Sequence, residues 1–397
     1  MSLPKIRPWK LGMLCLLVVG VGCQVFSDQM TRWKMLDDGA LENPIGALGG
    51  DAVVFSPKDD HALTREQLED AKPEELIAYY APIFIQQHID SSGQPYPYPK
   101  EYDDIGEPSL KKDEKGNYLG IVSGQPKMYW LFQRREIDAS DHIQLTYTAW
   151  YPAHPRMKTL DLESANVDSI VVRITLDSVN VPLFYETITA SGFYHKIFIP
   201  RWVENAARVQ FGPPEPGKSY SIERQASGKI DWEVAGVVEE IHEQPRRPVF
   251  FIRSGDHRII GMGNQARLKL PPNAQVRQYE LKEYHELFAV RVEGSTEKHP
   301  FFDQQDGHKV YGAERGQRYV FTVLGMDSAG QPRSNDQIKA HFDQSDWEDM
   351  TAYSRYLKVP PVVLRTPLSV KPAASQGAFM GNQPQRPKGT DPASGGR

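Results

Sequence analysis

The sequence predicts a mainly β protein: an antiparallel β-sandwich-like body with a short N-terminal helical segment and a C-terminal closing helix. Three observations carry this. Glycine and proline occur 31 times each beside 18 Tyr, 16 Phe and 7 Trp, a composition that suits short strands and tight turns better than long helices. In Ile170-Val-Val-Arg-Ile-Thr-Leu176 the apolar residues fall at 170, 172, 174 and 176 while Arg173 and Thr175 fall between them, the period of two of a strand with one buried face. Helical signals, finally, are confined to two short stretches near residues 64–81 and 346–357.

The 397 residues are 40% hydrophobic and 24% charged, which excludes a polytopic membrane protein and allows two to three domains by length. A net charge of -5 argues against a nucleic-acid partner.

Residues 1–22 have the layout of a signal peptide. Lys5, Arg7 and Lys10 precede an apolar run from Leu11 to Gly22. As a helix this run spans about 18 Å, short of the roughly 30 Å hydrocarbon core of a bilayer. Cys23 follows Val19-Gly20-Val21-Gly22 in a pattern that resembles a bacterial lipobox, with Gly20 where Leu is usual. Lipid attachment at Cys23 would make the membrane a partner. Gln24, in place of Asp, favours the outer membrane in enterobacterial sorting. Cys15 and Cys23 are the only cysteines, so the body lacks a disulfide scaffold, a Cys nucleophile and a thiolate zinc site.

Residues 23–60, mixing Gly, Pro and Asp, are expected to form a tether. A β-rich main domain is expected over 61–290, a β/α extension packed on it over 291–358, and a disordered Pro/Gly-rich tail over 359–397. Thr64 with Gln67 reads as a capping box, Pro73 as the first turn of a second helix, and Ala81-Pro82 as its end. Ile83-Phe84-Ile85 opens the strands. An aromatic loop runs from Gln94 to Pro108. Further strands are expected over 128–134, 142–151, 170–176, 183–189, 193–199, 232–238, 249–253, 257–262 and 318–324. Residues 278–291 remain open between helix and strand. Trp347, Met350, Tyr353 and Leu357 recur at helical spacing in a closing helix over 346–357. The tail has too little apolar content to offset ordering, so cutting after Lys358 is expected to leave stability nearly unchanged.

Several segments resemble a family of uncharacterised bacterial envelope proteins, many of them lipoproteins. They are Tyr102-Asp-Asp-Ile-Gly-Glu-Pro108, Gln144 to Pro152, Arg173 to Asp177, Pro182 to Ile188, Gly192-Phe-Tyr-His195 and Gly312-Ala-Glu-Arg-Gly-Gln-Arg318. Together they span roughly residues 78–325. The resemblance implies an envelope location and no particular activity. Members carry Cys-Gly-Cys-Tyr-His where this chain has Ser191-Gly-Phe-Tyr-His195, so a thiol or metal role does not carry over. The strands at 145–151 and 170–176 also look like the β-sandwich of vacuolar-sorting-type and necrosis-inducing-type domains.

No phosphate loop, nucleophile elbow, zinc-protease helix or dinucleotide fingerprint occurs, and no motif calls for a cofactor. One pattern recurs. Pro182-Leu-Phe-Tyr leads to Ser191-Gly192 and His195, and Pro248-Val-Phe-Phe leads to Ser254-Gly255 and His257. A histidine beyond a tight turn is placed to act as acid, base or ligand, and equally to sit in a core bonding backbone. A three-residue loop Ala190-Ser191-Gly192 pairs Thr187 with His195 and Glu186 with Lys196, leaving Glu186 in a surface ion pair. A two-residue loop would instead bring Glu186 beside His195 as a base requires; the three-residue loop is the expectation. Asp161 and Asp168 are available carboxylates for a glycosidase pair. Candidate ligand contacts are Tyr96, Tyr98 and Tyr102 in the aromatic loop and His154 and Arg156 in a proline-rich loop.

The expected function is an exported, lipid-anchored envelope protein with a noncatalytic binding or structural role, its candidate partners an envelope protein or a polysaccharide. The alternative is a metal- or His/acid-dependent hydrolase using His195, His257 and Glu186.

Overall fold

The computed structural model describes residues 46, 48, 51–59, 62–159, 161–224, 234–239, 245–272, 274–319, 330–339, 347–361 and 363. The leader, both cysteines and residues 364–397 lie outside the described residues.

Eleven strands form one sheet. In chain order they are β1 (Asp51–Pro57), β2 (Ile83–His88), β5 (Lys127–Ile137), β6 (Ser140–Tyr151), β7 (Asp168–Leu176), β8 (Pro182–Ile188), β9 (Lys196–Pro200), β10 (Val234–Val238), β11 (Pro248–Ile252), β12 (Ile259–Asn264) and β13 (Gln275–Glu283). A separate hairpin pairs β3 (Glu107–Lys112) with β4 (Tyr118–Ser123). In space the order is β10-β9-β8-β7-β6-β5-β13-β1-β2-β11-β12. The end strands β10 and β12 approach each other, so the sheet is nearly closed into a barrel.

A single mixed sheet thus stands where a pair of antiparallel sheets was expected. From β5 to β9 the pairing is antiparallel, as the hairpin turns require. The parallel pairs β5–β13, β13–β1, β2–β11 and β9–β10 join strands far apart in sequence, and no local turn announces them.

One hydrophobic cluster fills the lumen. The period-two face of each strand supplies it, including Phe55, Phe84, Leu145, Val172, Tyr185 and Tyr279. Such side chains contribute about 1.5–3 kcal/mol each on full burial, which makes the lumen the main source of cohesion. Its interior is packed rather than open.

Two short helices plug one end of the lumen. Helix α1 (Arg65–Glu69) begins with the expected capping box, in which Gln67 N donates to Thr64 Oγ1 and Thr64 N to Gln67 Oε1. Helix α2 (Pro73–Tyr80) starts on Pro73 and ends before Pro82. Tyrosine hydroxyls tie the plug down: Tyr80 donates to Asn180 O (2.7 Å), Tyr147 to Ile77 O (2.8 Å) and Tyr279 to Pro82 O (2.6 Å). Each leaves its ring among apolar neighbours and satisfies its buried hydroxyl.

The outer face is covered as well. Tyr284, Leu287, Phe301, Phe302 and Ile338 pack over Trp150, Val171 and Ile188. Helices α3 (Arg201–Phe211) and α4 (Thr351–Tyr356) cover β8 to β10. Every residue of β7 and β8 is buried in consequence.

Several expectations shift. The tether does not extend to residue 60, because β1 lies inside the sheet between β13 and β2. Residues 275–283 are strand and 284–289 a 3-10 turn, which resolves the open segment. Arg318 and Tyr319 are helical where a strand was expected, and 320–324 lie outside the described residues. The closing helix is shorter than expected, though Trp347, Tyr353 and Leu357 are buried as its spacing required.

The tail does not begin at 359. Val359 and Val363 are 8% and 2% exposed and join Ile222 and Val203 in one cluster, while Lys358 N donates to Ile222 O. Cutting after Lys358 removes both valines and is expected to cost about 3 kcal/mol. A denaturant titration of the full and cut chains measures it; coincident midpoints would show that the two valines do not matter.

Candidate functional site

The barrel end opposite the helical plug is closed by polar side chains from strand ends. Tyr98, Tyr102 and Asp103 come from the loop after β2, and His154 and Glu163 from the segment between β6 and β7. Asp168 opens β7, and Ser254 to Arg258 form the β11–β12 turn. That turn bends sharply, with Gly255 at φ +80° and His257 at φ +50°. A left-handed histidine is uncommon, and its surroundings must hold it there.

Asp168 is the centre, 1% exposed. Its Oδ2 accepts from Nδ1 of both His154 (3.0 Å) and His257 (2.9 Å), and its Oδ1 accepts from Arg315. Across the ring, His257 Nε2 donates to Tyr102 O at 3.1 Å and lies 3.4 Å from Asp103 Oδ1. Both ring nitrogens of His257 therefore meet groups that can only accept, which requires the imidazolium. The ring also stacks on Tyr151 at 3.9 Å.

The network continues in both directions. Asp103 accepts from the Ser254 hydroxyl (2.5 Å) and Gly255 N (2.7 Å), and Ser254 Oγ bonds Tyr98 OH at 2.7 Å. Glu163 lies 3.8 Å from His154 Nε2, accepts from Tyr194 OH (2.8 Å) and lies 3.6 Å from Arg258. Burial favours neutral Asp168, yet Arg315 and the two histidine bonds override it and hold the carboxyl well below its usual range. Burial alone would depress His257. Hydrogen bonds to Asp103 and Asp168 win and raise it to about 9.

A second network lies on the outer face. Arg173 and Glu186 are direct cross-strand partners on β7 and β8. Arg173 Nε and Nη2 donate to the two Glu186 oxygens at 2.9 Å each, and Nη1 donates to Trp347 O at 2.8 Å. The guanidinium stacks over the Trp347 ring at 3.7 Å. Glu186 also accepts from His195 Nε2 (3.2 Å) and from the Tyr353 hydroxyl. Burial raises its pKa, but Arg173 and His195 more than compensate and bring it to about 2.

This corrects the hairpin register. The turn is as expected: Gly192 has φ +83° and Thr189 N donates to Phe193 O. Beyond it, Tyr194 adopts φ +59°, and the ladder pairs Thr187 with Lys196 and Glu186 with Ile197. One extra residue has been absorbed. Glu186 is accordingly a buried partner of Arg173 and His195, not a surface partner of Lys196.

The structure divides the proposed residues. His257 and His154 meet at Asp168, while His195 and Arg173 meet at Glu186. His154 is 2% exposed, so it does not offer itself to a ligand from a solvated loop. Asp161 does not pair with Asp168; it accepts from Met157 N and Glu163 N and pins its own loop. Asp103, Ser254 and Arg315 were missed as participants. Ser254 had a signal in the Ser-Gly turn, and Asp103 and Arg315 sit in segments that carried the family resemblance.

Of the aromatic loop, Tyr96 donates to Thr159 Oγ1 (2.8 Å) and carries Arg156 on its ring at 4.7 Å. Tyr98 and Tyr102 stack at 6.5 Å. Burial pushes the Tyr98 hydroxyl up to about 12, with the Asp103 charge adding to it. An open cleft of about 360 Å³ lies beside Tyr98.

No family model, curated protein or solved structure matches the chain.

A general base needs a ring nitrogen facing its substrate. Both nitrogens of His257 face protein oxygens, and the arrangement acts as a clamp joining five segments of chain.

Two predictions follow from these geometries. Arg173→Met leaves Glu186 buried without its cation and is expected to cost about 3–5 kcal/mol, whereas Arg173→Met with Glu186→Leu regains most of it. A double-mutant cycle by urea unfolding reads this, and additive losses would mean that the pair does not interact. For His257, a folded pKa above the unfolded value gives stability that is complete below about pH 6.5 and lost as pH rises through about 9. Melting temperature is expected to fall over that window in the parent and to stay flatter in His257→Asn, whose side chain tolerates a positive φ. Parallel curves would remove His257 as the cause.

Proposed function

We propose that this chain is an exported protein of the bacterial cell envelope, lipid-anchored at Cys23 in the outer membrane, with a noncatalytic binding or structural role. The observation that carries the reading is that His195, His257 and Glu186, the groups a hydrolase would use, are 6%, 0% and 0% exposed and spend hydrogen bonds on other parts of the chain. Such networks rigidify a scaffold, and a rigid scaffold with loops at one end is what a binding protein presents. The basic leader, its short apolar run and Cys23 support export and anchoring. The resemblance to envelope proteins points the same way, because the segments carrying it supply Asp103, Arg173, Glu186, His195 and Arg315 to the two networks.

Mass spectrometry of the membrane fraction is the test. The expected N-terminal peptide begins at Cys23 and carries acyl mass. A soluble chain starting elsewhere would overturn the anchor, and hydrolysis of an envelope substrate that disappears in His257→Asn would overturn the noncatalytic role.

A further inference from the structure

The cleft beside Tyr98 is a built feature. Residues 89–100 fold back on themselves, with Tyr98 N donating to Ser91 Oγ and the Ser91 hydroxyl donating to Tyr98 O, both at 2.8 Å. Pro95, Pro97 and Pro99 fix three backbone angles in this stretch, so little order remains to be lost on binding. Tyr98 is anchored from behind, its hydroxyl on Ser254, Ser254 on Asp103, and Asp103 beside the His257 clamp. One wall of the cleft is thereby tied to the barrel end.

The lining is chemically mixed. Ile89, Pro97 and Pro99 offer apolar surface, and Asp51, Asp90, Ser92 and Lys100 offer polar groups. Ile89 is 37% exposed. Lys100 Nζ stands 3.8 Å from Asp51 Oδ2, and both side chains are largely open to solvent. Asp90 accepts from Ser92 N, which lowers its pKa and keeps it an anion. Two carboxylates that only accept and one ammonium that only donates therefore face the same space. A small anion would meet the carboxylates, and a polycation would meet the lysine. Sugar hydroxyls both donate and accept, so one ligand satisfies all three, and its C–H face can lie on Pro97 and Ile89. A volume near 360 Å³ is at the small end of ligand sites, roughly 300–1,000 Å³. It suits a short saccharide.

We propose that this cleft binds an uncharged saccharide of about disaccharide size, presented by an envelope glycan. The proposal rests on the noncatalytic binding role above and gives that role its ligand class. The exposed Arg156, from the loop after β6, stacks on Tyr96 of the cleft segment, but neither side chain lines the cleft.

Saturation-transfer NMR and calorimetry on the full-length protein in a sugar-free detergent test it, with N,N′-diacetylchitobiose, cellobiose and maltose as probes. At least one is expected to bind. Asp90→Asn and Lys100→Ala are each expected to weaken it about tenfold with unchanged melting curves, while Arg156→Ala leaves it unaltered. Absence of transfer from all three sugars, equal binding by the cleft variants, or binding of tetralysine in place of sugar would overturn the saccharide site. The same samples separate the two readings. A sugar that binds and is cleaved leaves the site standing and removes the noncatalytic role; sugars that neither bind nor react remove the site alone.

Discussion

The closed end of the barrel depends on keeping one carboxylate, Asp168, charged and out of water. Removing a lone carboxylate from solvent costs several kcal/mol, and no single partner here cancels that. Arg315, His154 and His257 do so together. They arrive from the C-terminal segment, the β6–β7 segment and the β11–β12 turn, so the one charge ties three separate parts of the chain together. The requirement reaches further, because an imidazolium at His257 needs Tyr102 O and Asp103 on its other side. The loop after β2 is thereby held against the turn after β11. One wall of the cleft beside Tyr98 is thereby tied, through Ser254 and Asp103, to this buried charge.

The outer face poses the complementary problem. A strand such as β7, with Arg173 and Thr175 opposite its apolar face, would ordinarily turn those residues to solvent. Trp347 and Tyr353 cover them instead. The guanidinium is then satisfied by Glu186, a backbone carbonyl and an indole face, which is the planar and bidentate recognition at which arginine surpasses lysine. Covering the sheet and burying the ion pair are a single event. The residues around 347–357 belong to the core as much as any strand does.

How much was legible follows from the range of each interaction. The strand at β7, the capping box at Thr64 and the left-handed Gly192 are decided by residues a few positions apart, and each forms as expected, although both faces of β7 are buried where one was expected. The parallel pairing of β1 with β13 joins residues more than two hundred positions apart, and nothing local separates it from a tether or a hairpin. His154 misled for a related reason. A proline-rich loop usually lies in water, but Asp168, brought in by β7, and a backbone bridge to Ala165 draw this one inward. Glu186 misled by a single residue, since the turn was right and the left-handed Tyr194 then shifted the ladder beyond it. The echo between Ser191-Gly192 and Ser254-Gly255 is real in the backbone, with both glycines at positive φ. The histidines that follow them enter different networks.

A buried ion pair is a weak source of net stability, because desolvation consumes most of its attraction. Its value on β7 and β8 lies in register. Both strands are buried along their whole length, so apolar content alone scarcely distinguishes one alignment from the next. A slip of one residue turns every side chain to the other face. It would send Arg173 or Glu186 into the lumen among Val172, Ile174 and Tyr185, with no partner there and a penalty of several kcal/mol. The pair meets only when Arg173 stands opposite Glu186, and the bulge at Tyr194 then brings His195 to the same carboxylate. Polar residues inside this barrel wall thus do what the hydrophobic pattern cannot. They make one alignment of otherwise interchangeable strands far better than its neighbours.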